Sequence, residues 1–161
     1  MKIAIVMGSD SDWPILKPAA DLIKEFGLTA EVVVASAHRT PDKVRQFATD
    51  APAKGIGVII AAAGAAAHLA GAIAGLTTIP VIGVPINSTP LNGLDALLST
   101  VQMPSGVPVA TMAVNGAKNA AIFAVEILAV TDNGLKEKLI AYRQKMAEGV
   151  EQKAARVAAQ L

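Results

Sequence analysis

Short apolar runs of Val, Ile and Ala without polar alternation recur along the chain at Lys2–Met7, Thr29–Ala35, Gly57–Ala62 and Val81–Val84, and again within Val107–Val114. A strand that lacks a polar face is covered on both sides, which is the condition of a parallel sheet lying between two helix layers. Stretches of helical character separate the runs. Strand alternating with helix predicts the α/β class: a three-layer sandwich with a central parallel sheet, flavodoxin-like or Rossmann-like, joined by right-handed crossovers. In such folds ligands bind beyond the carboxyl ends of the strands. The residues that follow each apolar run are therefore the first place to look for chemistry.

Capping chemistry sets the expected helix limits. Asp12 is a fitting N-cap for a helix over Trp13–Phe26, which Gly27 would end. Thr40 is the corresponding residue for Pro41–Ala51, with proline at the first helical position. Further helices are predicted over Ala65–Ala74, Leu94–Val101 and Ala117–Val130. The charged remainder, Asn133 to Leu161, reads as a C-terminal helical extension of one long helix or two. Pro18 conflicts with the first helix, because an interior proline costs about 3 kcal/mol. Either that helix is kinked or its regular part starts later.

With 161 residues the chain suits one α/β domain spanning 1–161. Net charge is +1 and 17% of residues are charged, which argues against nucleic acid or an anionic membrane as partner. One tryptophan and few other aromatics offer no stacking platform for single strands. Cysteine is absent, excluding disulfides, thiolate metal sites and a cysteine nucleophile. Two histidines without clustered carboxylates argue against any metal site.

Between Lys54 and Asp95 no charged residue occurs, so a membrane span has to be weighed. A spanning helix needs ~20 predominantly apolar residues. This stretch is Ala/Gly-rich and interrupted by His68, Thr77, Thr78, Pro80, Pro85 and Asn87, which suits buried strands and short helices. Met1-Lys2 precedes only a short apolar run that ends in Gly8 and two aspartates, so the cytoplasm is the expected location. So much uncharged surface on a small chain points to burial between subunits.

Two loops carry the polar groups. Gly8-Ser9-Asp10-Ser11-Asp12 follows the first strand, with hydroxyls and free N–H groups suited to a phosphate. Asp10 or Asp12 would accept from ribose hydroxyls. The same residues equally suit an ordinary turn with an N-cap. Ser36-Ala37-His38-Arg39-Thr40-Pro41 follows the second strand and is the more telling. Arg39 offers a rigid fork of donors for phosphate. His38 is the natural proton carrier near neutral pH. Together they predict acid–base chemistry on a phosphorylated small molecule.

His68 lies in the small-residue segment Ala63–Gly71. Taken alone it reads better as a hydrogen-bonded core histidine. Gln102–Val109, with two prolines and a glycine, is expected to form a rigid loop on the same rim as the other two. Asn115, Lys118 and Asn119 stand at the last strand–helix junction, as caps or as ligands.

These segments resemble the PurE family of purine biosynthesis over Lys2–Val130. The likeness rests on Gly8–Asp12, Ser36–Pro41, Ala66–Leu69, Gly83–Pro85, Leu94–Ser99 and Val101–Pro104. The resemblance implies that His38 is the general acid–base residue. Ser9, Asp12 and Arg39 would hold phosphate and ribose, with Gly8 in the same loop. Ser36, Ala37 and the loop of Ala63, Gly64, Ala67, His68 and Leu69 would line the heterocycle and carboxylate pocket. It also implies movement of a carboxylate from an exocyclic nitrogen to ring carbon C4 of an aminoimidazole ribonucleotide. No cofactor or metal would be needed, and the assembly would be a homo-octamer.

Within the family, the class that uses free carbon dioxide is expected to carry Lys-Gly in place of Arg39-Thr40 and Asn-Gly in place of His68-Leu69. This chain has the mutase residues at both places. A non-catalytic nucleotide-binding module is the alternative from another class; in it His38 would only bond a ligand or cap a helix. Three positions depart from the family's pattern: Ala70 where proline is expected, and Ala62 and Ala65 where glycine is common. The Val114–Ala117 turn is also about two residues short, at a loop, where such changes are best tolerated.

Overall fold

A computed structural model describes residues 1–160. β1 (Lys2–Met7) shows how the sequence makes the layers. Successive side chains of a strand point to opposite faces. Ile3, Ile5 and Met7 enter one core, with Leu16, Ile23 and Val125, while Ala4 and Val6 enter another, with Val44, Phe47, Leu69 and Ile73. Both faces are covered, so an unbroken apolar run is required.

The remaining strands are β2 (Thr29–Val34), β3 (Ile56–Gly64), β4 (Val81–Ile86) and β5 (Ala110–Thr111). They stand in the order β2-β1-β3-β4-β5, all parallel. This is the flavodoxin-like order, whose direction of winding reverses between β1 and β3. The fold is thus the expected sandwich of helices on both sides of a parallel sheet.

Helix α1 (Trp13–Glu25) and helix α5 (Ala117–Ala129) cover one face; α2 (Pro41–Asp50) and α3 (Leu69–Ala74) cover the other. Helix α4 (Leu94–Val101) packs on β4, and Gly83 lets it approach closely. A Cβ there would lie 2.4 Å from Thr100 Cγ2. Helix α6 (Asn133–Ala158) is a single helix, capped by the Asp132 carboxylate on the Leu135 N–H at 3.1 Å. It is tied back by Lys138 Nζ, which donates to the Phe26 carbonyl at the end of α1, 2.8 Å away. Leu161, the last residue of the expected extension, lies outside the described residues. Among the described residues no helix is long and apolar enough to cross a membrane.

Several boundaries differ from expectation. α1 runs unbroken through Pro18. Its buried Leu16, Ala19, Ala20 and Ile23, at helical spacing, outweigh one missing hydrogen bond. Ala65–Ala67 are not helical, although alanine is the best helix former. β3 continues to Gly64, Ala65 takes a left-handed φ of 53°, and α3 begins only at Leu69. β5 is cut to two residues, as Pro104 and Pro108 before it cannot donate to a ladder.

Neither proposed cap bonds as one. The Asp12 side chain makes no cap bond, and Ser9 instead accepts from Ser11 N–H at the head of a 3-10 turn over Asp10–Asp12. Thr40 turns its hydroxyl back onto Ser36. The Gln102–Val109 loop connects the end of α4 to the start of β5, so it runs along the amino rim of the sheet, opposite the rim where it was expected.

Candidate active site

The loops after β1 and β2 are laced together at the point where the winding reverses. Arg39 Nη2 donates to the Gly8 carbonyl at 3.0 Å, and the Arg39 N–H donates to Ser36 Oγ at 3.2 Å. Ser36 is fixed in turn by Thr40, whose Oγ1 accepts from the Ser36 N–H at 2.9 Å and donates to its carbonyl at 3.1 Å. These bonds hold the guanidinium across the mouth of the β1 loop. On that loop Ser9 Oγ accepts from the Ser11 hydroxyl at 2.8 Å.

Between the loops opens a cleft of about 310 Å³, in the size range of small-molecule sites. The β1 loop contributes Gly8, Ser9, Ser11 and Asp12; the β2 loop contributes Ser36, Ala37, His38 and Arg39. Ala63, Gly64, Ala66 and Leu69 line it from the end of β3, and Ser88 from the loop after β4. Asp12 is buried at the base of its loop. That burial, assisted by the neighbouring Asp10 charge, holds its carboxyl above the ordinary value of 3.8 against the lowering pull of hydrogen bonds from Ser9 and Ser11. It is an acceptor with little water around it, suited to ligand hydroxyls.

His38 and His68 meet across the rim. His38 Nε2 lies 2.9 Å from His68 Nδ1, and the rings stand edge to face with centroids 5.0 Å apart. A hydrogen bond of this kind requires one protonated and one bare nitrogen. Both rings are exposed, so His68 is not the core histidine that its segment alone suggests. The tight turn Ala65–Ala67 brings it here: Ala67 and His68 donate backbone N–H bonds to Ala65 and Ala66 carbonyls, both at 2.9 Å.

Most of the residues singled out in the sequence share this cleft: Gly8, Ser9, Asp12, Ser36, Ala37, His38, Arg39, Ala63, Gly64 and Leu69. His68 joins it through His38. Ala67 does not. It is 1% exposed, and its carbonyl lies 3.4 Å from the buried Thr100 hydroxyl. Asn115 is structural, its Oδ1 accepting from the Asn87 N–H at 2.9 Å. Lys118 and Asn119 line other surface depressions, away from the cleft. Sequence reasoning missed Ser88, whereas Ala66 belongs to the Ala63–Leu69 loop expected to line the pocket. For Ser88 the sequence carries a signal, an apolar run before it, but the strand expected over Val81–Val84 extends in the structure to Ile86.

The fold and the cleft together define a flavodoxin-like α/β protein with a small-molecule site at its topological switch point. Residues 2–149 match the family model described as AIR carboxylase. A Pyrococcus horikoshii protein named N5-carboxyaminoimidazole ribonucleotide mutase is 56% identical over 155 residues, which cover 96% of this chain and 88% of that one. A Thermotoga maritima protein of the same name is 51% identical over 156 residues, covering 97% and 91%. Among solved structures, Treponema denticola PurE superposes with a TM-score of 0.87 at 27% identity, covering 96% of each chain. The chain belongs to the AIR carboxylase family.

Proposed function

We propose that this protein is an isomerase of purine biosynthesis that converts N5-carboxyaminoimidazole ribonucleotide to its C4-carboxylated isomer. The observation that carries the reading is the His38–His68 contact at the edge of a cleft that the neighbouring Arg39 also lines. Relatives about half identical over more than nine-tenths of the chain bear the mutase name, which supports this over carboxylation by free carbon dioxide.

Arg39 grips the phosphate with its charged fork, aided by the Ser9 hydroxyl. Asp12 accepts from ribose hydroxyls. Ser36, Ala37, Ala63, Gly64 and Leu69 wall the heterocycle. His38, as imidazolium, delivers a proton to the N5 nitrogen as the bond from N5 to the carboxyl carbon breaks, releasing carbon dioxide. Ring carbon C4 then attacks the trapped gas. The C4 proton returns to the imidazole, restoring aromaticity and the starting charge of His38. One imidazole, donating and then taking back the proton, serves both transfers. His68 supports it by sharing the hydrogen bond at Nε2.

The proposed assembly is a homo-octamer, in keeping with the exposed apolar side chains of α4 and α6. The activity is tested by supplying the N5-carboxylated ribonucleotide in degassed buffer without bicarbonate and following the C4 isomer. Isomer formation is expected. A strict requirement for added bicarbonate would replace the mutase with a carboxylase, and no turnover of either kind would leave only a binding module.

A further inference from the structure

Ser88 belongs to no sequence motif, yet it is the single β4-loop side chain in the cleft. Its two neighbours are tied down. The Asn87 N–H donates to Asn115 Oδ1 at 2.9 Å, and Asn115 is itself anchored by its N–H on the Pro85 carbonyl at 2.8 Å. Thr89 Oγ1 donates to Asp95 Oδ2 at 2.9 Å and accepts from the Leu91 N–H at 3.2 Å. Ser88 stands between these two clamps, and its own hydroxyl has no hydrogen-bond partner among the described residues.

The chain also makes room for it. A Cβ on Gly64 would lie 2.0 Å from Ser88 Oγ and 2.8 Å from Ser88 Cβ, distances no real side chain tolerates. Glycine at the end of β3 is what lets Ser88 lie across that strand into the cleft. A loop pinned on both sides, over a strand end kept bare, presents a free hydroxyl at a fixed place. That is the arrangement of a preorganised ligand contact.

Strand order says which part of a ligand it meets. Ser88 follows β4 and Arg39 follows β2, with β1 and β3 between them. Neighbouring strands are ~4.8 Å apart, so the two loops flank the cleft roughly 14 Å from each other. With Arg39 on the phosphate, as the function proposed above has it, Ser88 lies toward the opposite end of the nucleotide. A hydroxyl both donates and accepts, which matches the ring nitrogen and exocyclic amine of an aminoimidazole. We infer that Ser88 is a substrate-binding and specificity residue that hydrogen-bonds the heterocycle and not the phosphoribosyl part.

The inference rests on the ribonucleotide reading, and the experiment separates the two. Affinities of wild type and Ser88→Ala are measured by calorimetry for aminoimidazole ribonucleotide and for ribose 5-phosphate. The variant is expected to bind the ribonucleotide roughly 2- to 12-fold more weakly, the range of one neutral hydrogen bond, and ribose 5-phosphate unchanged. Unaltered ribonucleotide affinity overturns the inference. Equal weakening of both probes also overturns it, since that marks general damage to the loop, and so does a wild type that binds only ribose 5-phosphate. Wild type that binds the ribonucleotide without isomerising the carboxylated substrate defeats the proposed reaction alone, and the selective loss would still establish the Ser88 contact.

Discussion

His38 Nε2 and His68 Nδ1 are 2.9 Å apart although thirty positions separate the residues in the chain. The β2 and β3 loops bring them together on one rim, and the hydrogen bond gives His38 a defined orientation beside the cleft. His38→Asn is expected to lower kcat about 10²- to 10⁴-fold, the scale of general acid–base catalysis, with ligand affinity retained. His68→Asn should lower kcat by less, because His38 loses only the partner that orients its ring. Steady-state kinetics across pH with product-binding titrations check both. Turnover near the parent rate in His38→Asn would remove it from the mechanism.

Arg39 is expected to act through binding. Arg39→Ala should raise KM roughly 10- to 100-fold, as loss of a hydrogen-bonded charge on phosphate does, with a much smaller change in kcat. Arg39→Lys should not restore it, because a lysine ammonium cannot span the Gly8 carbonyl and a phosphate with one planar fork. An unchanged KM in the alanine variant assigns the phosphate to other groups.

Asp12 links the site to stability. Burial raises its carboxyl pKa in the folded state above 3.8. Between these two values the native protein binds more protons than the unfolded chain, so stability falls as pH rises through that window. The contribution is fully favourable below 3.8 and is lost above the raised value. Asp12→Asn removes this penalty. The variant should be more stable than wild type in urea unfolding at pH 7, with the advantage shrinking as pH is lowered. Its affinity for the ribonucleotide should fall about tenfold or more, on the scale of a lost charged hydrogen bond. A constant stability difference from pH 7 to acid would contradict the burial account.

Ala65 carries a left-handed φ of 53°. That conformation costs an L-residue about 1–2 kcal/mol, while glycine loses some of the advantage through unfolded-state entropy. Ala65→Gly should therefore stabilise the protein by about 0.5–1 kcal/mol, read as a higher urea midpoint. A destabilised variant would mean that the alanine methyl group contributes more than the strain removes.

The assembly is checked by light scattering. Ile140, Met146, Val150 and Val157 stand exposed along α6, and Leu94, Leu98 and Val101 along α4. Eight-fold mass is expected, with Val150→Glu reducing it. A monomer at micromolar concentration would refute the octamer.

The apolar runs of β1, β3 and β4 carried the class of fold, because residues buried on both faces leave no polar alternation, as in a sheet between helix layers. The residues directly after β1 and β2 marked the rim for the same reason: strand ends are where such a sheet stops and polar chain begins. What tertiary structure decided was proximity and local override. Nothing in the segment Ala63–Gly71 announces that His68 faces His38; that follows from a left-handed Ala65 and from two loops converging over α2 and α3. Ala67, taken for a site residue, is instead drawn inward beside Thr100. Ser88 follows an apolar run in the sequence, but that it lies over Gly64 in the cleft was decided by the packing of the β3 and β4 ends. Burial periodicity is encoded locally in the chain, whereas the meeting of distant loops depends on how helices of particular lengths and shapes pack, which no single segment specifies.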